Sequence, residues 1–520
     1  MTKTNLWTLL EPSLKTYRNH PAWICRQKRG NEIITYHQIY QAALSTAHKL
    51  RSLGIEPGDT VGITAPNGPQ WSVAALASWK IGSAIAPIHI GNSETDILNQ
   101  IEAVKPKVML LHDSKLDLPD THIISLPISL DSDPESLELE EAISSPSESG
   151  DVAVRIYTSG STGTPKIVRL SHSNHASNMF AACKIQKFSS EDRFISLLPF
   201  SHAMGLTANL LLPFYCGCTI VAPRVLAASE VLATMEQEKI SVLIAVPRLF
   251  RNIMLGLEKK FRNASPFLKA YIWALRKSPL FLRKHINAPI KNKLGGKIKV
   301  WVSGGSHLDH TICRYFHDLG LPLRQGYGLT ETSPLACVQE EFDPAIQSVG
   351  RPIEDVKIKI CAPDADGRGE VCIQGPNVML GYENPEHNND AFDGQWFKTG
   401  DIGKLDDAGR LTLTGRSKRL IVTEAGKNVY PEELETTLER DNRIKEAGVF
   451  EWEMKPVCVV SSDEKNPEEA VKQALKNYNK VVSAHNQINR FAIVDELPKT
   501  PLGKLALQQL PECFQQHEVK

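Results

Sequence analysis

The sequence predicts an α/β protein. It reads as a large N-terminal domain of two layered α/β subdomains plus a small antiparallel β subdomain, followed by a small α+β C-terminal domain. Three observations point there. Strand-like and helix-like apolar patterns alternate from the start to about residue 340. From about 345 to 415 the pattern shortens to alternating segments such as VKIKI and EVCIQ, set between Asp/Gly turns. After 416 both patterns mix again. The expected domains are therefore 1–415, with α/β subdomains over about 1–340 and a β subdomain over about 345–415, and 416–520.

Taken in order, Tyr36 to Leu53 has Ile39, Ala43, Leu50 and Leu53 near one helical face. Pro57-Gly58-Asp59 is a turn, Val61-Gly62-Ile63 a short strand, and residues 69–80 a helix. Residues 131–151 carry eight acidic residues and no Lys or Arg, and read as an exposed loop. A second α/β run starts near Asp151. Strands are expected at 152–158, 194–198, 218–222, 241–246 and 298–303, paired in parallel through helical crossovers. The turns Asp364-Ala365-Asp366-Gly367 and Asp406-Asp407-Ala408-Gly409 read as hairpins, since the rest of a calcium loop is missing.

Charge and cysteine content exclude some classes. Lys+Arg and Asp+Glu are both 59, so no global attraction to nucleic acid is expected. Ten Cys without a CxxC, and a start with no apolar signal core, predict a reduced, cytoplasmic protein. Residues 194–223 hold no charged side chain, but Pro199, His202, Asn209, Pro213 and Gly217 break any spanning helix, so they read as core.

The sharpest feature is YTSGSTGTPK, Tyr157 to Lys166, after the alternating Val152, Val154 and Ile156. Gly160 and Gly163 permit tight bends. The hydroxyls of Thr158, Ser159, Ser161, Thr162 and Thr164 can donate to phosphate oxygens, and Lys166 adds a positive charge. A Walker A pattern does not fit, because a strand-like KIVRL follows. The alternative is a surface Gly/Ser turn.

Seven further segments appear: LLPFSHAMG at 197–205, SGG at 303–305, QGYGLTETSP at 325–334, GEVCIQGPNVMLGY at 369–382, WFKTGD at 396–401, GRSKRLIVTEAGKNVYPEELE at 415–435 and LPKTPLGK at 497–504. With the glycine-rich loop they resemble, in order, the motifs of the adenylate-forming superfamily of acyl-CoA synthetases, peptide-synthetase adenylation domains and luciferases. Within it the chain looks most like the long-chain fatty acyl-CoA synthetases. One position departs: the family has Gly after the loop Lys, and this chain has Ile167.

The resemblance implies roles. Residues 158–164 and Lys166 would hold the phosphates of ATP. Tyr327, between Gly326 and Gly328, would lie against adenine, with Gly304 and Gly305 on the other side. Thr330 sits in the same loop. Glu331 and Thr158 would hold Mg²⁺ against the phosphates, unless Glu331 is a solvated loop residue. Asp401 would accept from both ribose hydroxyls, with Arg416 as second contact. His202 would sit beside the substrate carboxylate, its alternative being a satisfied core histidine. Lys504 would reach the active site from a mobile C-terminal lid and neutralise charge at the α-phosphorus. Lys418 matches the hinge, and Gly426 the glycine that lines the thiol tunnel.

The implied activity is ATP-dependent conversion of a carboxylic acid, a medium- or long-chain fatty acid, to acyl-AMP, then transfer to CoA. A separate acyl carrier protein is the alternative acceptor; with 16 residues after Lys504, no fused carrier is expected. A silent nucleotide-binding protein is the alternative of another class. Residues 248–299 form a helical-looking insert with 14 Lys/Arg and one acidic residue, Glu258. It reads as a peripheral contact with anionic lipid, a docking face for an acidic carrier protein, or a solvated basic face.

Overall fold

Capping chemistry sets where the helices begin. The Gln38 amide donates to Thr35 Oγ1 (3.2 Å) and the Thr35 amide to Gln38 Oε1 (2.9 Å), so Tyr36–Ser52 starts at its predicted place. Pro69 opens Pro69–Lys80, where a missing N–H costs nothing. The chain is described by a computed structural model for residues 5–112, 122–125, 146–158, 166–422, 428–499 and 505–519. The expectations for Ser159, Gly160, Ser161, Thr162, Gly163, Thr164, Gly426, Lys504 and the acidic residues 131–145 fall outside these residues.

Two compact units result: Met1–Ile358 with Ile373–Phe397, and Lys359–Cys372 with Lys398–Lys520. The larger holds two big sheets. One has the strand order Gly381–Tyr382, Lys166–Ser171, Val152–Thr158, Ala84–Pro87, Thr60–Thr64, Val108–Leu111, His122–Ser125. The other runs Arg351–Pro352, Cys337–Val338, Leu323–Tyr327, Val300–Ser303, Val242–Ala245, Arg193–Ile195, Thr219–Ala222, Pro21–Gln27, Gly30–Thr35. Its strands from Leu323–Tyr327 to Pro21–Gln27 are parallel, as expected for helical crossovers.

The sequence reading of 152–158 needs correction. This strand does not join the others of the second run. It pairs in parallel with Ala84–Pro87 and antiparallel with Lys166–Ser171. Only residues 159–165 separate it from its successor, too few for a parallel crossover. Conversely, Pro21–Gln27 from the N-terminal run lies against Thr219–Ala222 in the second sheet.

Residues 194–223 are core, as expected: Phe194, Phe200, Leu206, Leu211, Phe214 and Ile220 are buried. No helix among the described residues is long and apolar enough to cross a membrane. The insert is helical, as Pro247–Arg262, Pro266–Lys277, Leu280–Ile286 and Ala288–Asn292. Phe250, Ile253, Leu257, Ile272 and Leu275 seat it on a core that includes Trp301 and Phe316.

The β subdomain is a five-stranded sheet of Lys357–Cys361, Gly369–Gln374, Trp396–Leu405, Phe392–Asp393 and Leu411–Arg416. Its Asp turns are hairpins. Asp364 Oδ1 accepts from the amides of Asp366 and Arg368, and Asp406 Oδ1 from those of Ala408 and Arg410. Cys361 and Cys372 lie side by side on neighbouring strands. Sheet order, which cysteine spacing does not reveal, brings them together. The C-terminal α+β fold has strands Glu446–Trp452, Lys455–Ser461 and Phe491–Ile493 with helices Pro431–Leu438, Pro467–Val481 and Leu510–His517.

Candidate active site

The strands on either side of the phosphate-loop motif pair antiparallel, with Tyr157 opposite Ile167 and Thr158 opposite Lys166. Thr158 Oγ1 donates to the Lys166 carbonyl (3.4 Å). Ile167 is therefore a strand residue, and its carbonyl accepts from the Glu383 amide on its other side (2.8 Å). A β-branched side chain suits that place.

Lys166 reaches over the ring of Tyr382, with Nζ 4.7 Å from the centroid. The Tyr382 hydroxyl donates to Glu331 Oε1 at 2.8 Å. Burial, reinforced by the Glu331 charge, pushes the phenol pKa up, so it stays protonated and donates. Tyr382 belongs to the strand Gly381–Tyr382, which pairs antiparallel with the strand after the phosphate loop. The Met379 amide also donates to the Glu331 carbonyl (2.9 Å). One aromatic ring thus links three motifs that are far apart in sequence.

Asparagines hold the loop carrying Glu331. Asn178 Nδ2 donates to the carbonyls of Thr332 and Leu335 (both 3.3 Å), and its Oδ1 accepts from the Leu335 amide (2.7 Å). Asn377 Nδ2 donates to the same two carbonyls (3.2 and 2.9 Å). Asn174 Nδ2 ties down the carbonyls of Pro376 and Val378 (both 2.8 Å). Asn174 also completes the capping box with Ser171 that starts the helix His172–Ile185. Sequence reasoning missed Asn174, Asn178, Asn377 and Tyr382. The only advance signal was that the last two lie inside quoted motifs.

Glycines permit close approaches in the segments expected to border adenine. A Cβ on Gly328 would lie 1.8 Å from the Pro334 carbonyl oxygen, so only glycine fits. Cβ atoms built on Gly304 and Gly305 meet Met204, which joins the SGG segment to LLPFSHAMG. Gly326 and Tyr327 end the strand Leu323–Tyr327, and Tyr327 is mostly buried. Thr330, Glu331 and Thr332 form one 3₁₀ turn. His202 begins the short helix Ala203–Leu206, and its ring centroid lies 5.6 Å from that of His89. Burial lowers the His89 pKa, so this ring is neutral at pH 7; it hydrogen-bonds with Ser201 Oγ (3.2 Å). The sequence reading did not find His89, which follows the strand Ala84–Pro87.

In the smaller unit Asp401 is buried and forms an ion pair with the exposed Arg416 (3.0 Å), its partner across the strands Trp396–Leu405 and Leu411–Arg416. The Asp401 amide donates to Thr399 Oγ1 (3.0 Å), and the Gly400 amide, at positive φ, to Glu370 Oε1 (3.0 Å). Lys418 lies in the 3₁₀ turn Ser417–Arg419. Glu331 and Thr158, the expected Mg²⁺ contacts, each carry a hard oxygen donor. That suits Mg²⁺, which keeps waters and substrate phosphates rather than an all-protein cage. No cluster of three or more His, Cys, Asp or Glu among the described residues could hold a metal ion.

A family model described as AMP-binding enzyme matches residues 10–383. The chain belongs to the AMP-binding enzyme family. It is 30% identical to the long-chain-fatty-acid–CoA ligase FadD15 of Mycobacterium bovis over 79% of this chain and 73% of that one. It is 26% identical to the 2-succinylbenzoate–CoA ligase of Bacillus licheniformis over 95% and 99%. The solved O-succinylbenzoate coenzyme A synthetase of Bacillus subtilis in complex with AMP has the same fold, with TM-score 0.78, 24% identity and 98% coverage of each chain. The relatives thus include ligases for both kinds of acid, and the resemblance to long-chain synthetases is shared.

Proposed function

We propose that this member of the family is an AMP-forming acid–CoA ligase that activates a medium- or long-chain fatty acid. The carrying observation is the Lys166–Tyr382–Glu331 chain. It sets a cation, a neutral donor and a carboxylate at the start of the strand that follows the loop expected to hold phosphates. In this reading residues 158–164 and Lys166 bind the phosphates of ATP. Tyr327, Gly304, Gly305, Gly326, Gly328 and Thr330 border the adenosine, and Asp401 with Arg416 holds the ribose. Glu331 and Thr158 hold Mg²⁺, which when bound offsets phosphate charge.

The protein's part is positioning and charge stabilisation. His202 orients the carboxylate, whose oxygen attacks the α-phosphorus and expels pyrophosphate. Lys504 neutralises the charge that builds there. The chain from Arg416 onward, 416–520, then rotates about Lys418 as a lid on the domain 1–415. Gly426 lines the path by which the CoA thiolate attacks the acyl-AMP carbonyl, releasing AMP.

A fatty acid is favoured by the FadD15 match and by the apolar and basic insert. A second reading, an aromatic acid such as 2-succinylbenzoate, is favoured by the Bacillus relatives. A carrier protein as acceptor and a silent binding protein are the remaining alternatives; the presence of Glu331, Asp401 and Lys504 argues against the silent one. Pyrophosphate release should be measured over an acid panel with CoA or carrier protein as acceptor. A fatty acid with CoA is the expected best pair. Preference for 2-succinylbenzoate overturns the acid assignment, and release with no acid at all overturns the ligase.

A further inference from the structure

The helical insert turns aromatic side chains both inward and outward. On Pro266–Lys277, Ile272 and Leu275 are buried, with Leu268 and Tyr271 packed beside them. The other side of that helix and the start of Leu280–Ile286 carry Phe267, Trp273 and Phe281, exposed to 90%, 66% and 69%. Leu280 and Leu282 are exposed beside Phe281. Of the eight tryptophans five are fully buried, which marks Trp273 as an exception. Large aromatic groups held in water at the surface signal a contact surface.

The surrounding charge divides into two sets. Arg276 stacks over the Tyr315 ring (5.0 Å), and Arg283 pairs with Asp318 (3.0 Å) and donates to the carbonyls of Ser278 and Arg276. These two arginines tie the insert to the helix His310–Asp318. Lys259, Lys260, Lys269 and Lys277 are exposed and have no acidic partner among the described residues. Between Pro247–Arg262 and Pro266–Lys277 lies a cleft of about 500 Å³ lined by Glu258, Phe261, Arg262, Lys269, Ile272 and Arg276.

We propose that this face docks on an anionic lipid bilayer. Aromatic tips that stand clear of the surface enter an interface without needing a complementary pocket. Lysines around them keep their ammonium groups at headgroup level. The excess of 14 basic over one acidic residue in 248–299 matches a negative surface and opposes a second copy, which would bring the same lysines together. The inference does not depend on which acid is activated.

The test is co-sedimentation with vesicles of phosphatidylcholine alone or with about one-third phosphatidylserine, in low and high salt. Fluorescence with brominated lipid chains is read alongside. Binding only to the anionic vesicles, weakening with salt, is expected, with emission quenched in wild type but not in Trp273→Phe. Lys259→Glu, Lys260→Glu, Lys269→Glu and Lys277→Glu together should lower the partition constant at least a hundredfold. Phe267→Ser, Trp273→Ser and Phe281→Ser together should lower it at least tenfold, with pyrophosphate release from a soluble short acid unchanged. Were the triple variant to misfold, the lysine variant and the Trp273→Phe quenching still decide. Equal binding to neutral vesicles, no binding, or unaltered variants overturns the proposal. So does loss of carrier-protein turnover with vesicle binding intact, or a wild-type oligomer that the triple variant separates.

Discussion

In the larger unit, the loop bearing Glu331 is held by uncharged groups: the amides of Asn178 and Asn377 and the phenol of Tyr382. In the smaller unit, the comparable work falls to buried charge. Arg419 donates to Glu435 (3.2 Å) and to the Val449 carbonyl (3.0 Å) and pairs with Glu432 (3.0 Å), while the Val449 amide donates back to Glu435 (2.7 Å). The contrast has a physical reason. A site that receives a polyanion gains from neutral bracing, which adds no charge to compete with the ligand. A fold with a small apolar core uses a closed hydrogen-bond network around Arg419 to fix helix Pro431–Leu438 against strand Glu446–Trp452, at the cost of desolvating Glu435.

The strongest way to break the neutral frame is Gly328→Ala. With 1.8 Å to the Pro334 carbonyl, the backbone must move, and we expect a loss of about 3 kcal/mol or more with loss of AMP binding. Hydrogen exchange should show the effect in the larger unit and none in the strands at 446–461.

Acid separates the units next. Burial lowers the His172 pKa from 6.5 to about 4; its ring accepts from the Leu6 amide. The contribution of this neutral histidine is full above pH 6.5 and is lost as pH falls towards 4, about 2 kcal/mol by pH 5. Burial raises Glu435 from 4.5 to about 7, with Arg419 opposing, so its contribution is full below pH 4.5 and is lost as pH rises to about 7. Between pH 7 and 5 exchange should therefore accelerate in the larger unit and slow in the smaller. His172→Gln should flatten the first change and Glu435→Gln the second.

Smaller effects sharpen the picture. Tyr382→Phe keeps the ring under Lys166 but removes the bond to Glu331. We expect about a tenfold slower first half-reaction with an unchanged melting temperature. Ile167→Gly should cost roughly 1 kcal/mol of stability, because the side chain belongs to a strand. A faster first step without destabilisation would mean instead that Ile167 restrains the loop.

Much of this was legible from residue order. Helix Tyr36–Ser52 was legible in its apolar face, and the turn aspartates at 364 and 406 were read as hairpins. The mixing of the two large sheets was not legible, because strand partners such as Pro21–Gln27 and Thr219–Ala222 are chosen by burial in three dimensions. Glu331 and Lys166 were visible in motifs. Tyr382, which joins them, and Asn178, which braces the loop, look like ordinary polar residues until the chain is folded. The proximity of Cys361 and Cys372 was hidden for the same reason.

Under the proposed function Lys504 serves only the first of the two steps. Lys504→Ala should be assayed for acid-dependent exchange of pyrophosphate into ATP, and separately for thioester formation from preformed acyl-AMP and CoA. Exchange should fall by a factor of a hundred or more, with thioester formation within a fewfold of wild type. Equal impairment of both steps, or exchange as fast as in wild type, would contradict it.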